Sequence, residues 1–312
     1  MIDYGDGISA IDTGFFRPNF DASYLVIENG RAAFVDVGTN HSIARLLDAL
    51  AEKKIPVEAV DYVILTHVHL DHAGGAGLLM QKLPNARAVI HPRGARHMID
   101  PSQLIAGATA VYGAEEIQRS YGTLVPIDPS RVDTANDNYV IDLAGRKLLC
   151  IDAPGHARHH MTIYDEKSRG FFTGDTFGLS YREFDTDEGA FILPTSTPVQ
   201  FEPDALHASI DRMLSYKPLQ MFLTHFGRVT DVERCANDLH KQIYAMVAFV
   251  QNCASEANRH VTLKRMLGDF YSARARLHGC AMTHEHVCDL LAMDIELNAQ
   301  GLEVWVDRQK PN

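Results

Sequence analysis

From Thr66 to Gly75 the chain reads Thr-His-Val-His-Leu-Asp-His-Ala-Gly-Gly, which packs three imidazoles and one carboxylate into the six residues His67 to His72. Side chains of these types bind divalent ions. Imidazole and carboxylate suit zinc, iron or manganese, and the lack of cysteine in the run removes the softest donor. The apolar stretch Tyr62-Val63-Ile64-Leu65 precedes it and reads as a strand. In an extended segment residues two apart share a face, so His67 and His69 can reach one ion while Asp71 and His72, around the turn, reach a second. Two ions roughly 3.5–4 Å apart share a water, lower its pKa and polarise a carbonyl or phosphoryl oxygen. The expectation is a dinuclear metallohydrolase whose nucleophile is the bridging hydroxide.

The elements that must hold this cluster alternate along the first half of the chain. Tyr24 to Glu28 and Arg31 to Val37 are apolar runs joined by Asn29-Gly30, a two-residue hairpin signal. Ile43, Leu46, Leu47 and Leu50 follow Thr39-Asn40 at helical spacing, and Val60 to Leu65 returns to strand, which puts the histidines at a strand's carboxyl end. A short helix over Gly77 to Lys82 stops at Pro84, and Ala88 to His91 is another strand. Gln103 to Tyr121 is a helical excursion that reads as a lid. Strands then recur at Tyr139 to Leu143, Lys147 to Asp152, Met161 to Asp165 and Gly170 to Thr173. A helix over Pro203 to Tyr216 leads into Leu219 to Leu223. Beyond about Asp231 the pattern is helical, with segments at Val232 to Ala254, Leu263 to Leu277 and His284 to Ala299. The expected division is a metal-binding catalytic domain over 1–230 and an all-helical extension over 231–312, serving as substrate cap or dimer interface.

Composition narrows the classes. The 312 residues are 46% hydrophobic and 22% charged, enough to bury a full core. A net charge of −11 argues against a nucleic-acid binder, whose affinity comes largely from clustered Lys and Arg. Cys150, Cys235, Cys253, Cys280 and Cys288 form no CxxC pair, and an odd, scattered set fits reduced thiols and a cytoplasmic setting. The first residues lack a basic stretch with an apolar core, and no apolar run approaches the roughly 20 residues that span a bilayer, so neither export nor membrane insertion is expected.

Three further motifs follow the histidine run in order: Ala153-Pro154-Gly155-His156, Phe172-Thr173-Gly174-Asp175-Thr176 and Thr224-His225-Phe226-Gly227. Together with Thr66 to Gly75 they resemble the metallo-β-lactamase superfamily over roughly residues 8 to 230, most closely the group holding glyoxalase II and the N-acyl-homoserine lactonases. The resemblance implies an α+β fold, a four-layer αββα sandwich with metals at one rim of its two sheets. It also implies that His67, His69 and His156 bind the first ion, that Asp71, His72 and His225 bind the second, and that Asp175 bridges them. Asp36, in Val35-Asp36-Val37-Gly38, resembles the early buried carboxylate that orients the metal loops. His160 resembles the histidine just outside the metals, although Gly-His-Ala-Arg-His-His departs from the usual Gly-His-Thr-x-Gly-His, and His159 reads as a surface or loop residue.

The function expected is hydrolysis of a lactone, ester or thioester, with two divalent ions, zinc ahead of iron or manganese, and with Asp71 managing the proton. The substrate is a small molecule with an apolar acyl or aromatic part, for which Phe177, Phe184, Phe191, Met221, Phe222 and Phe226 are candidate lining residues. Homoserine lactonases usually carry a tyrosine three residues after the bridging Asp. Here that position is Gly178, which leaves Tyr181, six residues after Asp175, as the candidate oxyanion donor. Glyoxalase II uses basic residues of its C-terminal helices for glutathione, a role open to Lys264 and Arg265. The contrasting readings are a small-molecule-sensing protein on the same scaffold, a di-iron redox protein and a small-molecule phosphodiesterase. No nucleic-acid or membrane partner is expected, and the apolar helical tail suggests a homodimer.

Overall fold

Strands β1 (Ile2–Gly5), β2 (Ile8–Asp12), β3 (Ala22–Glu28), β4 (Arg31–Val35), β5 (Val60–Leu65), β6 (Arg87–Ile90) and β7 (Val132–Thr134) form one sheet in sequence order. The computed structural model describes residues 1–196 and 199–309, so 310–312 of the expected helical extension lie outside the described residues. Neighbours from β1 to β4 are antiparallel and from β4 to β7 parallel. Asn29 and Gly30 both take left-handed φ values, 47° and 76°, as the tight turn between β3 and β4 requires. A second sheet, in the order β13-β12-β11-β10-β9-β8, contains β8 (Tyr139–Leu143), β9 (Arg146–Asp152), β10 (Met161–Asp165), β11 (Gly170–Phe172), β12 (Gln220–Leu223) and β13 (Gly227–Val229).

Two compact units divide the chain, and each is built from separated stretches. The first holds Met1–Asp152, His159–Gly174 and Pro218–Arg228. It contains helices α1 (Ile43–Glu52), α2 (Leu70–Ala73), α3 (Ala76–Lys82), α4 (Pro92–Ile99), α5 (Ser102–Tyr112) and α6 (Ala114–Tyr121). Strand alternation sorts its core into two layers. Ala32 and Phe34 of β4 pack with Ile43, Leu46 and Leu50 of α1 and Leu79 of α3. Ala33 and Val35, pointing the other way, pack with Ile163, Phe172 and Phe222 of the second sheet. A strand covered on both faces reads as a continuous apolar run, which is how β3, β4 and β5 appear in the sequence.

The second unit holds Ala153–Arg158, Asp175–Lys217 and Val229–Asn312. Its helices are α7 (Pro203–Ser215), α8 (Val232–Asn252), α9 (Arg259–Leu277), α10 (His284–Leu290) and α11 (Ala292–Arg308). Buried Asn298 of α11 joins this bundle to the preceding loop, accepting from the Ser196 amide at 2.7 Å and donating to Tyr271 Oη of α9 at 2.9 Å. No helix among the described residues is long and apolar enough to cross a membrane. All five cysteines are free thiols.

Departures from the sequence pattern have local causes. The β4 run stops at Val35 because Asp36 turns left-handed, with φ 52°. The Gln103 to Tyr121 excursion is two helices, broken at Gly113 with φ 85°. Its Ile117 packs with Leu70, the residue before Asp71. Helix α9 begins earlier than its apolar stripe because its first turn is tied to α11, Arg259 by ion pairs to Glu303 and Asp307 and His260 by hydrogen bonds to Glu303 and Glu296. Strands β1 and β2 and helix α4 are too short for periodicity to mark them.

Phe222 lies 5.0 Å from the Phe172 ring and 5.7 Å from Tyr24 in the layer between the sheets. Phe222→Ala should cost about 3–5 kcal/mol, measured by urea unfolding. Lys264, hydrogen-bonded to Glu296 at 2.6 Å, holds the Glu296 carboxyl down at about 2. A depressed folded pKa stabilises above the ordinary glutamate value, and that stability disappears as pH falls through about 2. Glu296→Gln should therefore lower the melting temperature at pH 6, and the difference from the parent protein should shrink steadily towards pH 3.

Candidate metal centre

Within the first unit the histidine run leaves the end of β5 and turns into α2. Asp71, His72 and His225 come together, each offering one ligand atom within 4.8 Å of the others. Asp71 Oδ2 lies 3.8 Å from His72 Nε2 and 3.4 Å from His225 Nε2. The other nitrogen of each ring is engaged elsewhere. His72 Nδ1 donates to Asp36 Oδ2 at 2.8 Å, and His225 Nδ1 donates to the Phe20 carbonyl at 2.9 Å. Such bonds fix the tautomer and present Nε2 as the lone-pair atom.

His67 and His69, two apart on the extended segment, bring Nε2 and Nδ1 to 2.8 Å. His67 Nδ1 faces Thr66 Oγ1 at 3.1 Å, and that hydroxyl donates to Asp36 Oδ2 at 2.8 Å. A relay from imidazole to hydroxyl to carboxylate thus points His67 Nε2 towards His69. Buried His160 stacks on the His67 ring at 4.7 Å. Gly174 lets this layer close, because a Cβ there would fall 2.5 Å from His160 Nε2 and 2.6 Å from Thr66 Oγ1. The loop before β3 is pinned by Thr13 Oγ1, which donates to Asp21 Oδ2 at 2.8 Å. Burial pushes the Asp21 carboxyl up to about 7, against the pull of His225 and His72.

In the second unit His156 Nε2 lies 3.2 Å from Asp175 Oδ2, while His156 Nδ1 donates to the Thr195 carbonyl at 3.3 Å. Gly155 is the only residue type that fits its position: φ is 128° and a Cβ would sit 2.4 Å from the Leu206 backbone of α7. Thr176 Oγ1 donates to Ala153 O at 3.1 Å, tying the Asp175 turn to the His156 turn. The donor chemistry of both units fits divalent ions: nitrogen and oxygen atoms only, with four of the five histidines held through the opposite ring nitrogen.

Several residues take places that the sequence reading did not give them. His159 lies in the loop before β10, as one half of its expectation had it, but it is buried and not on the surface, and its Nδ1 accepts from the Val68 amide at 3.5 Å. His91 caps α4 by accepting from the Arg93 amide and bonds Asp152 at 3.0 Å through its other nitrogen. Tyr181 is buried with its hydroxyl donating to Asp294 of α11 at 3.1 Å, which removes it as an oxyanion donor. Phe222 and Phe226 belong to the layer between the sheets, and Phe184 stacks on Phe191 at 5.3 Å. Thr66 and Thr224 both donate to Asp36. The recurrence of Thr-His at 66–67 and 224–225 was the signal that could have found them.

Asp36→Ala removes the partner of His72 and of both threonines. Affinity for an ion at the Asp71, His72 and His225 group should fall about 10–100-fold, read by chelator competition with metal content determined by mass spectrometry.

The Metallo-beta-lactamase superfamily model matches residues 17–225. Over 231 residues, 72% of this chain and 80% of the relative, the sequence is 27% identical to the metallo-beta-lactamase fold-containing protein ST1585 of Sulfurisphaera tokodaii. The crystal structure of ST1585, an archaeal metallo-beta-lactamase superfamily protein, superposes with a TM-score of 0.67 at 22% identity, covering 98% of this chain and all of the other. A hydroxyacylglutathione hydrolase of Klebsiella pneumoniae is 28% identical over 51% of this chain and 49% of its own length. Two sheets with flanking helices and a helical C-terminal region, a match over most of the chain and clustered His and Asp donors lead to one conclusion: the chain belongs to the metallo-β-lactamase superfamily.

Proposed function

We propose that this protein is a dinuclear metal-dependent hydrolase of a lactone, ester or thioester. In this reading His67, His69 and His156 would hold one ion and Asp71, His72 and His225 the other, with Asp175 available to both. The observation that carries the reading is the orientation of the rings: His67, His72, His156 and His225 each commit one nitrogen to a protein acceptor and keep the other towards a neighbouring donor atom. Two divalent ions, zinc ahead of iron or manganese, would supply a Lewis acid and a water acidic enough to deprotonate near neutral pH. Asp71 is the accessible carboxylate of its group, with 25% of its side chain exposed. With Oδ2 turned to the Nε2 atoms of His72 and His225, its other oxygen, Oδ1, would take the proton from the attacking water and pass it to the leaving oxygen or sulfur.

The relative named hydroxyacylglutathione hydrolase supports cleavage of an acyl bond. Lys264 and Arg265, the residues available for glutathione, pair with Glu296 and Asp269. The reading therefore stays with the wider acyl class and an apolar acyl or aromatic group.

Protein purified without added metal should contain two ions per chain and show chelator-sensitive turnover of one class among short- and long-chain lactones, p-nitrophenyl esters and acyl thioesters. Asp71→Ala should lose more than about tenfold in kcat/KM while keeping the ion at His67 and His69, and a smaller loss at full metal content removes Asp71 from proton transfer. Two ions without turnover on the whole panel would favour the small-molecule-sensing reading.

A further inference from the structure

We propose that His159 is a positioning residue for the first ion, fixing the geometry of the His67-Val68-His69 segment through the Val68 amide. The inference rests on the metal reading above. Val68 lies between the two histidines, in a stretch that has left the β5 ladder, so its N–H needs an acceptor from elsewhere. His159 Nδ1 supplies it at 3.5 Å. One residue pair earlier in this segment, the Met161 amide donates to the Thr66 carbonyl at 2.8 Å. The 159–161 stretch thus runs beside 66–68, with a backbone bond at one end and a side-chain bond at the other.

The imidazole also packs on both histidines. Its ring is nearly parallel to His67, at 14° and 6.1 Å, and edge-on to His69, at 90° and 5.5 Å. Gly94 of α4 closes the far side: a Cβ there would lie 2.9 Å from Val68 Cγ1 and 3.6 Å from the Cβ of His159. The start of α4 is in turn fixed by His91, itself bonded to Asp152. Val68 is therefore held between a helix that carries no side chain at the contact and an imidazole that accepts its amide. Moving Val68 by a few tenths of an ångström would move His67 Nε2 and His69 Nδ1 relative to each other, because both hang from the same short stretch. Since Nδ1 is the acceptor, His159 carries its proton on Nε2. Its role at the Val68 amide is that of a hydrogen-bond acceptor, which an amide oxygen can replace.

The test compares His159→Asn, whose Oδ1 can occupy the place of the imidazole Nδ1, with His159→Leu, similar in size but without an acceptor. Metal-free full-length proteins are titrated with Co²⁺ and followed by visible absorption and chelator competition, with the melting temperature of the metal-free form read in parallel. The parent protein should take up Co²⁺, and His159→Asn should match its spectrum and affinity. His159→Leu should bind the tighter ion about 10–100-fold more weakly, with a shifted d–d band, at a metal-free melting temperature equal to that of His159→Asn. Equal spectra and affinities for the two variants would overturn the positioning role. A difference in metal-free melting temperature that accounts for the whole change in affinity would overturn it as well. Failure of the parent protein to bind Co²⁺ would instead overturn the metal reading beneath it.

Discussion

A single buried carboxylate, Asp36 at the end of β4, ties down three other chain segments in the first unit. It accepts from the Thr66 amide and hydroxyl at the end of β5, from His72 Nδ1 on α2 and from the Thr224 hydroxyl at the end of β12. A carboxylate with no solvent exposure is expensive to bury unless its lone pairs are taken, and here charge-assisted hydrogen bonds take them. The left-handed φ of 52° at Asp36 turns the chain out of β4 and aims the side chain along the strand ends. Asp tolerates that conformation better than most residues. Because β5 belongs to one sheet and β12 to the other, the same carboxylate locks the rim of the sandwich where the histidines emerge.

The apolar layers and the polar rim therefore do different work. Alternating strand positions send Ala32 and Phe34 to the helices and Ala33 and Val35 to the other sheet, which sets the spacing of the strands. That burial supplies the stability of the unit but says little about ring orientation at the rim. Orientation comes from individual hydrogen bonds: the Phe20 carbonyl for His225, Thr66 for His67, and the His159 imidazole for the Val68 amide. Glycines at 94 and 174 allow these polar layers to approach closely enough for such bonds to form.

The second unit follows the same division of labour. Helices α8, α9 and α11 bury Leu239, Leu263 and Leu302, while Asn298 and Asp294 reach from α11 to Ser196 and Tyr181. Those bonds hold the 179–196 loop, which also supplies the Thr195 carbonyl that orients His156. The helical tail therefore supports a candidate ligand through a loop distant from it in sequence.

The sequence by itself determined the candidate donor set and the class of fold. Three histidines and an aspartate within six residues, at the end of a strand run, name candidate metal ligands because two-residue spacing and a turn are local properties. The doubly buried strands and the Asn29-Gly30 turn are local signals too: β5 lies where those signals put it, while β3 begins before its expected start and β4 ends before its expected end. Only the tertiary structure decided which nitrogen of each ring faces its neighbour ligand, that His159 turns inward and that Tyr181 is committed to Asp294. The physical reason is that these choices depend on acceptors contributed by remote stretches of backbone or side chain. The Phe20 carbonyl that orients His225 is 205 positions away, and a carbonyl carries no signature of its residue type.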